Sequence, residues 1–140
     1  MHSGELLNSF ARRVVDRLTA ERPEFAARLA VVDDGNFETS IQAPEGSHAG
    51  ALVIRTARDA DIWVHFAPAQ MWYLVDDETE LLDIVGQILA DKLVFPSVAD
   101  PSGVWVETTL VRGSEDLELR PGYTVRLLCW SGRHDKTTPP

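Results

Sequence analysis

The segment Asp61-Ile62-Trp63-Val64-His65-Phe66 alternates strictly, with Ile62, Val64 and Phe66 on one side of an extended chain and Asp61, Trp63 and His65 on the other. The same split recurs where Val104, Val106 and Leu110 oppose Trp105 and Glu107, and where Tyr123, Val125, Leu127 and Cys129 oppose Thr124, Arg126 and Trp130. The chain is thereby constrained to a sheet with one aliphatic face and a second face that mixes tryptophan with charge. The strand phase predicts that Trp63, Trp105 and Trp130 share that second face. Such a face is built to be covered. Two covers are open: the first helix folds over it and makes the tryptophans ordinary core, or the face is offered to a partner protein or a second copy of the chain. Trp72 and Tyr73 are expected to extend the same aromatic surface.

At 140 residues and 44% hydrophobic, the chain suits one domain with a real core, expected over residues 1–130, followed by a polar, flexible tail over 131–140. Its 22 acidic residues against 13 basic give a formal charge of -9, which argues against nucleic acid or anionic lipid as partner, since both are bound by positive charge. An acidic surface favours a basic partner, or serves solubility alone. The single cysteine, Cys129, excludes an internal disulfide, and a reducing cytoplasm is the expected compartment. Charged residues interrupt Met1 to Ala20, so no signal-peptide core is read there, and no stretch approaches a membrane span.

Along the chain, Leu6, Leu7, Phe10, Val14 and Leu18 mark a helix from about Gly4 to Ala20, with Ser3 as its N-cap and Pro23 at its end. A further helical turn over Glu24 to Leu29 leads to a short strand at Val31-Val32. The turn Asp33-Asp34-Gly35-Asn36 precedes a strand over Phe37 to Ile41. Ala51 to Thr56 and Asp61 to Phe66 form a hairpin, and Met71 to Val75 a short extended piece. A second helix covers Asp77 to Leu93, with Leu81, Leu82, Val85, Ile88 and Leu89 inward. Two more strands follow, at Val104 to Arg112 and at Tyr123 to Trp130. The order α-β-β-β-β-α-β-β predicts an α+β fold: an antiparallel sheet of about five to six strands with two main helices largely on one face.

Candidate chemistry is thin. None of the four histidines pairs with another ligand type at recognised spacing, so no metal is expected. Cys129 is in phase with the aliphatic side and reads as a small buried hydrophobe. No nucleophile elbow or phosphate loop is present, so neither catalysis nor a cofactor is expected. The densest charge run is Asp76, Asp77, Glu78, Glu80 and Asp83. Acids there favour the positive end of the second helix, and Asp76, Glu80 and Asp83 also lie on one outward stripe able to steer a basic partner.

The stretch Gly50-Ala51-Leu52-Val53-Ile54-Arg55-Thr56, then Asp61 to Phe66, then Met71-Trp72-Tyr73 before an acidic helix, resembles the small α+β immunity proteins of bacterial polymorphic toxin systems. The resemblance covers about residues 50–95. It implies a non-enzymatic protein that binds a cognate toxin and occludes its active site or substrate groove. The residues that would carry this contact are Trp63, His65, Trp72, Tyr73, Trp105, Glu107 and Trp130, assisted by Asp76, Glu80 and Asp83. Two rival readings accompany it. The order of elements also looks like that of the type III effector chaperones, which dimerise and wrap an unfolded client segment. A small hydrolase using His65 with Asp61 or Glu107 is the third.

Overall fold

The computed structural model describes residues 6–47, 50–58, 60–66, 72–93, 95–103, 105–108, 121–132 and 136–138. They form an α+β fold with two sheets rather than one, a five-stranded sheet and a four-stranded sheet. The chain divides into two compact units: the first takes Met1–Gln42, Ala51–His65 and Trp72–Ile84, the second Ala43–Gly50, Phe66–Met71 and Val85–Pro140.

In the first unit, helix α1 runs over Ser9–Glu21, shorter at its start than the hydrophobic spacing predicts. Asn8 is its cap: the side-chain carbonyl accepts the Ala11 N–H at 2.7 Å, and the Asn8 backbone N–H donates to the Gly35 carbonyl at 2.9 Å. Ser3, the expected cap, lies outside the described residues. Leu6 precedes the helix and is exposed, whereas Ala11, Val14, Val15 and Leu18 form the buried stripe. Pro23 starts a 3-10 segment, Pro23–Arg28, which packs on α1. Gly35 has φ +77°, and a Cβ there would stand 2.8 Å from the Asn8 nitrogen, so the turn before the next strand requires glycine.

The five-stranded sheet is made of β1 (Ala30–Val31), β2 (Phe37–Gln42), β3 (Ala51–Ala57), β4 (Asp61–Phe66) and β5 (Trp72–Val75), adjacent in chain order. The β4–β5 register sets Ile62 against Val75, Trp63 against Leu74, Val64 against Tyr73 and His65 against Trp72. Because side chains alternate, Phe37, Thr39, Leu52, Ile54, Thr56, Ile62, Val64 and Val75 share one buried face. The Thr39 hydroxyl donates to the Phe25 carbonyl, which fixes the 3-10 segment on that same face. Each large aliphatic side chain buried there stabilises the unit by about 1.5–3 kcal/mol. The aliphatic face is thus the covered one.

Helix α2 (Glu78–Leu89) starts at Asp77, whose carboxylate accepts the Glu80 N–H at 2.8 Å. Its C-terminus, in the second unit, closes without glycine. Asp91 takes φ +60° while its N–H bonds the Ile88 carbonyl and the Lys92 N–H bonds that of Gln87, a Schellman closure. The Asp91 carboxylate then accepts both the Ser131 N–H, at 2.9 Å, and the Ser131 hydroxyl, which ties the residue after Trp130 to the helix end.

The second sheet has the order β7-β6-β8-β9, with β6 (Phe95–Ala99), β7 (Trp105–Thr108), β8 (Thr124–Leu128) and β9 (Lys136–Thr138). Val98 and Val125 pack with Tyr123 at its core. The strand β6 is one the sequence pattern hides, because Phe95-Pro96 reads as a break. Among the described residues, pairing with β7 runs from Ser97 to Ala99, and Pro96 pairs with Leu127 of β8. Within the segment expected to be a flexible tail, Lys136–Thr138 pair with β8.

Candidate functional site

The face of the five-stranded sheet opposite α1 is open. It carries Glu38 and Ser40 of β2, Val53, Arg55 and Ala57 of β3, Asp61, Trp63 and His65 of β4, and Trp72 and Leu74 of β5. Trp72 is 38% exposed and Leu74 53% exposed, large apolar side chains that a folded chain normally hides. Between Trp63 and Trp72 lies an open groove of about 390 Å³ lined by Arg55, Ala57, Trp63 and Trp72. Ala57 contributes only a methyl group to that lining.

Neighbouring strands fix the groove's walls. His65 lies opposite Trp72 in the ladder, and their rings stack with centroids 4.7 Å apart and planes 29° from parallel. The stack holds the Trp72 indole in place. Partial burial lowers the His65 pKa below the ordinary imidazole value, because the charged ring would lose solvation there. Arg55 lies opposite Glu38, and its guanidinium stands 3.8 Å from that carboxylate with both side chains well exposed. An exposed pair at that separation is weak, so Arg55 keeps most of its capacity for a further anion.

Of the residues the sequence singled out, Trp63, His65 and Trp72 come together. Tyr73 does not join them: it is in register with Val64 and points to the covered side. The expectation that Trp63, Trp105 and Trp130 share one face is corrected. Trp63 is on β4 of the first sheet and Trp105 on β7 of the second, while Trp130 lies in a turn past the end of β8 and is only 6% exposed. Trp130 is therefore core, as is Cys129, which is fully buried. The side chains of Trp105 and Glu107 lie outside those described. The reading in which the first helix covers the tryptophan face fails for Trp63, since α1 and the 3-10 segment belong to the aliphatic side.

The acidic stripe has a structural use as well. Asp76 and Asp83 are exposed, Glu80 is half-buried, and Asp77 caps α2. Glu78 accepts a hydrogen bond from Arg13 of α1, and that bond, with its own backbone N–H, holds the Glu78 pKa below the usual carboxylate range. Sequence reasoning passed over Arg55, Ala57 and Leu74. The first two are in phase with Val53 along β3, but placing them beside Trp63 and Trp72 takes strand order, which period-two patterns do not carry.

Among the described residues no cluster of three or more histidine, cysteine or acidic side chains is placed to hold a metal ion, and no helix is long and apolar enough to cross a membrane. Comparison of the chain with protein families, with curated proteins and with solved structures finds no match.

Proposed function

We propose that this protein is a protein-binding module of the immunity type, which captures a cognate toxin on the open face of its five-stranded sheet and so blocks the toxin's active site or substrate groove. The observation that supports the reading is the juxtaposition of Trp63, Trp72 and Leu74 on a face that no described element of their own unit covers. Tryptophan supplies the largest contact area per ordered side chain, and pairs of such anchors dominate interface energetics. The formal charge of -9 adds long-range attraction for a basic toxin, which raises the association rate more than the final affinity.

The test starts from the reading frame next to that of this chain: a toxin-like product of it is expressed together with this chain in a host that the toxin kills, and a neighbour of any other kind removes the reading. The unaltered chain rescues growth and forms a one-to-one complex with the folded toxin. Trp72→Ala is expected to weaken that complex by about 2 kcal/mol, roughly thirtyfold. Exposed Leu6, beside the Gly35 turn and not in the groove lining, serves as control, and Leu6→Ala leaves capture intact. Raised salt slows association. Unchanged capture by Trp72→Ala removes the reading, and an obligate dimer that binds an unfolded amino-terminal segment of a secreted effector replaces it with a chaperone.

A further inference from the structure

We infer that the groove between Trp63 and Trp72 seats an aromatic side chain of the partner that stands beside a carboxylate, with the Arg55 guanidinium as counter-ion; this deepens the protein-binding reading and rests on it.

Three observations lead to this chemistry. The walls are two indoles, whose flat apolar faces favour a flat apolar guest through offset stacking. The volume, about 390 Å³, is at the small end of sites that take one compact ring system. Among the described residues that line it, Arg55 alone is charged, and the carboxylates of Glu38 and Asp61 on the same face are not in that lining. A cationic guest would gain from the indole faces but would meet the guanidinium at the same wall. An anionic guest meets the residue best shaped to receive it, since the planar guanidinium takes a carboxylate through two parallel hydrogen bonds. The existing Glu38 partner is exposed and 3.8 Å away, so it competes weakly. The partner that is steered by acidic surface elsewhere is thus anchored, in the groove itself, by an acidic and aromatic element.

The full chain, labelled with nitrogen-15, is titrated with three single-ring-system probes: indole-3-acetate, indole-3-ethanol and tryptamine. Indole N–H signals are assigned by Trp63→Phe and Trp72→Phe. Indole-3-acetate is expected to shift both signals saturably and to bind about tenfold more tightly than tryptamine, with the neutral alcohol between them. Arg55→Gln brings the three probes to near parity. Ala57→Leu fills the groove and removes binding of all three; residue 57 is on the open face, so a dispersed spectrum is retained. Tryptamine binding as tightly as indole-3-acetate overturns the inference, and so does no binding by any probe or shifts confined to Trp105 and Trp130. These outcomes are separable from the capture assay: if Trp72→Ala abolishes toxin capture while no probe binds, the module reading stands and the anchor chemistry falls.

Discussion

His65 shows how a single position on the open face leaves a thermodynamic signature. Burial lowers its folded-state pKa, whereas the unfolded chain titrates near about 6.5. Between those two values the unfolded state holds more protons than the native state. Stability is therefore full above the unfolded value, falls as the pH drops through it towards the folded value, and then levels off. Glu78 acts in the same sense in a more acidic window: its lowered pKa gives stability that is present above the ordinary carboxylate value and is lost as the pH falls through the folded one. The two windows do not coincide. Urea denaturation between about pH 8 and pH 5 is expected to show a shallower decline in His65→Gln than in the unaltered chain. Superimposable profiles would show that the imidazole is no more desolvated than in the unfolded chain.

At the scale of elements, the start of α1 and the turn before β2 act as one joint. Asn8 caps the helix with its side-chain oxygen, donates its amide to the Asp34 carbonyl at 3.1 Å and its backbone N–H to Gly35, while Gly35 has no room for a Cβ against that nitrogen. Asn8→Ala is expected to cost about 1–2 kcal/mol, and Gly35→Ala about as much through the left-handed backbone and the clash. Both changes release the same contact, so the double variant should lose clearly less than the sum. A denaturation cycle that closes additively, within about 0.5 kcal/mol, would separate cap from turn. The turn at Asp33 to Asn36 was legible from its residues, and so were the hairpin of β3 and β4 and the buried face they share, because alternation and turn chemistry are local signals. The true cap was not, since Leu6 and Leu7 prolong the apparent helical stripe past Asn8. Nor were β6 and β9: Pro96 mimics a strand break, and Lys136-Thr137-Thr138 carries no hydrophobic alternation. At the site, Trp63, His65 and Trp72 follow from strand phase, whereas Arg55, Ala57 and Leu74 needed cross-strand register. Trp130 was misassigned because β8 stops at Leu128, two residues before alternation would have set its face.

Over the whole molecule, the chain passes between its two units after Gln42, Gly50, His65, Met71 and Ile84, so neither unit is a continuous stretch of sequence. The last passage falls inside α2, whose hydrogen-bonded turns join both units covalently and cooperatively. Leu81 on one side of that point and Val85 and Ile88 on the other are buried in the intact protein, and a cut there interrupts the helical turns that hold them. Residues 1–84 and 85–140, expressed separately, are therefore expected to give collapsed proton spectra and no sharp melting transition. A dispersed spectrum from 85–140 alone would show that the second sheet folds without the segments 43–50 and 66–71. The alternation along β3, β4 and β5 has a practical consequence of a different kind. Every second residue holds the fold and the residues between meet the outside, so Arg55, Ala57, Trp63, His65, Trp72 and Leu74 form an interrupted set that can be randomised together in a display library while the buried alphabet stays constant, and new specificities can be selected on an unaltered scaffold.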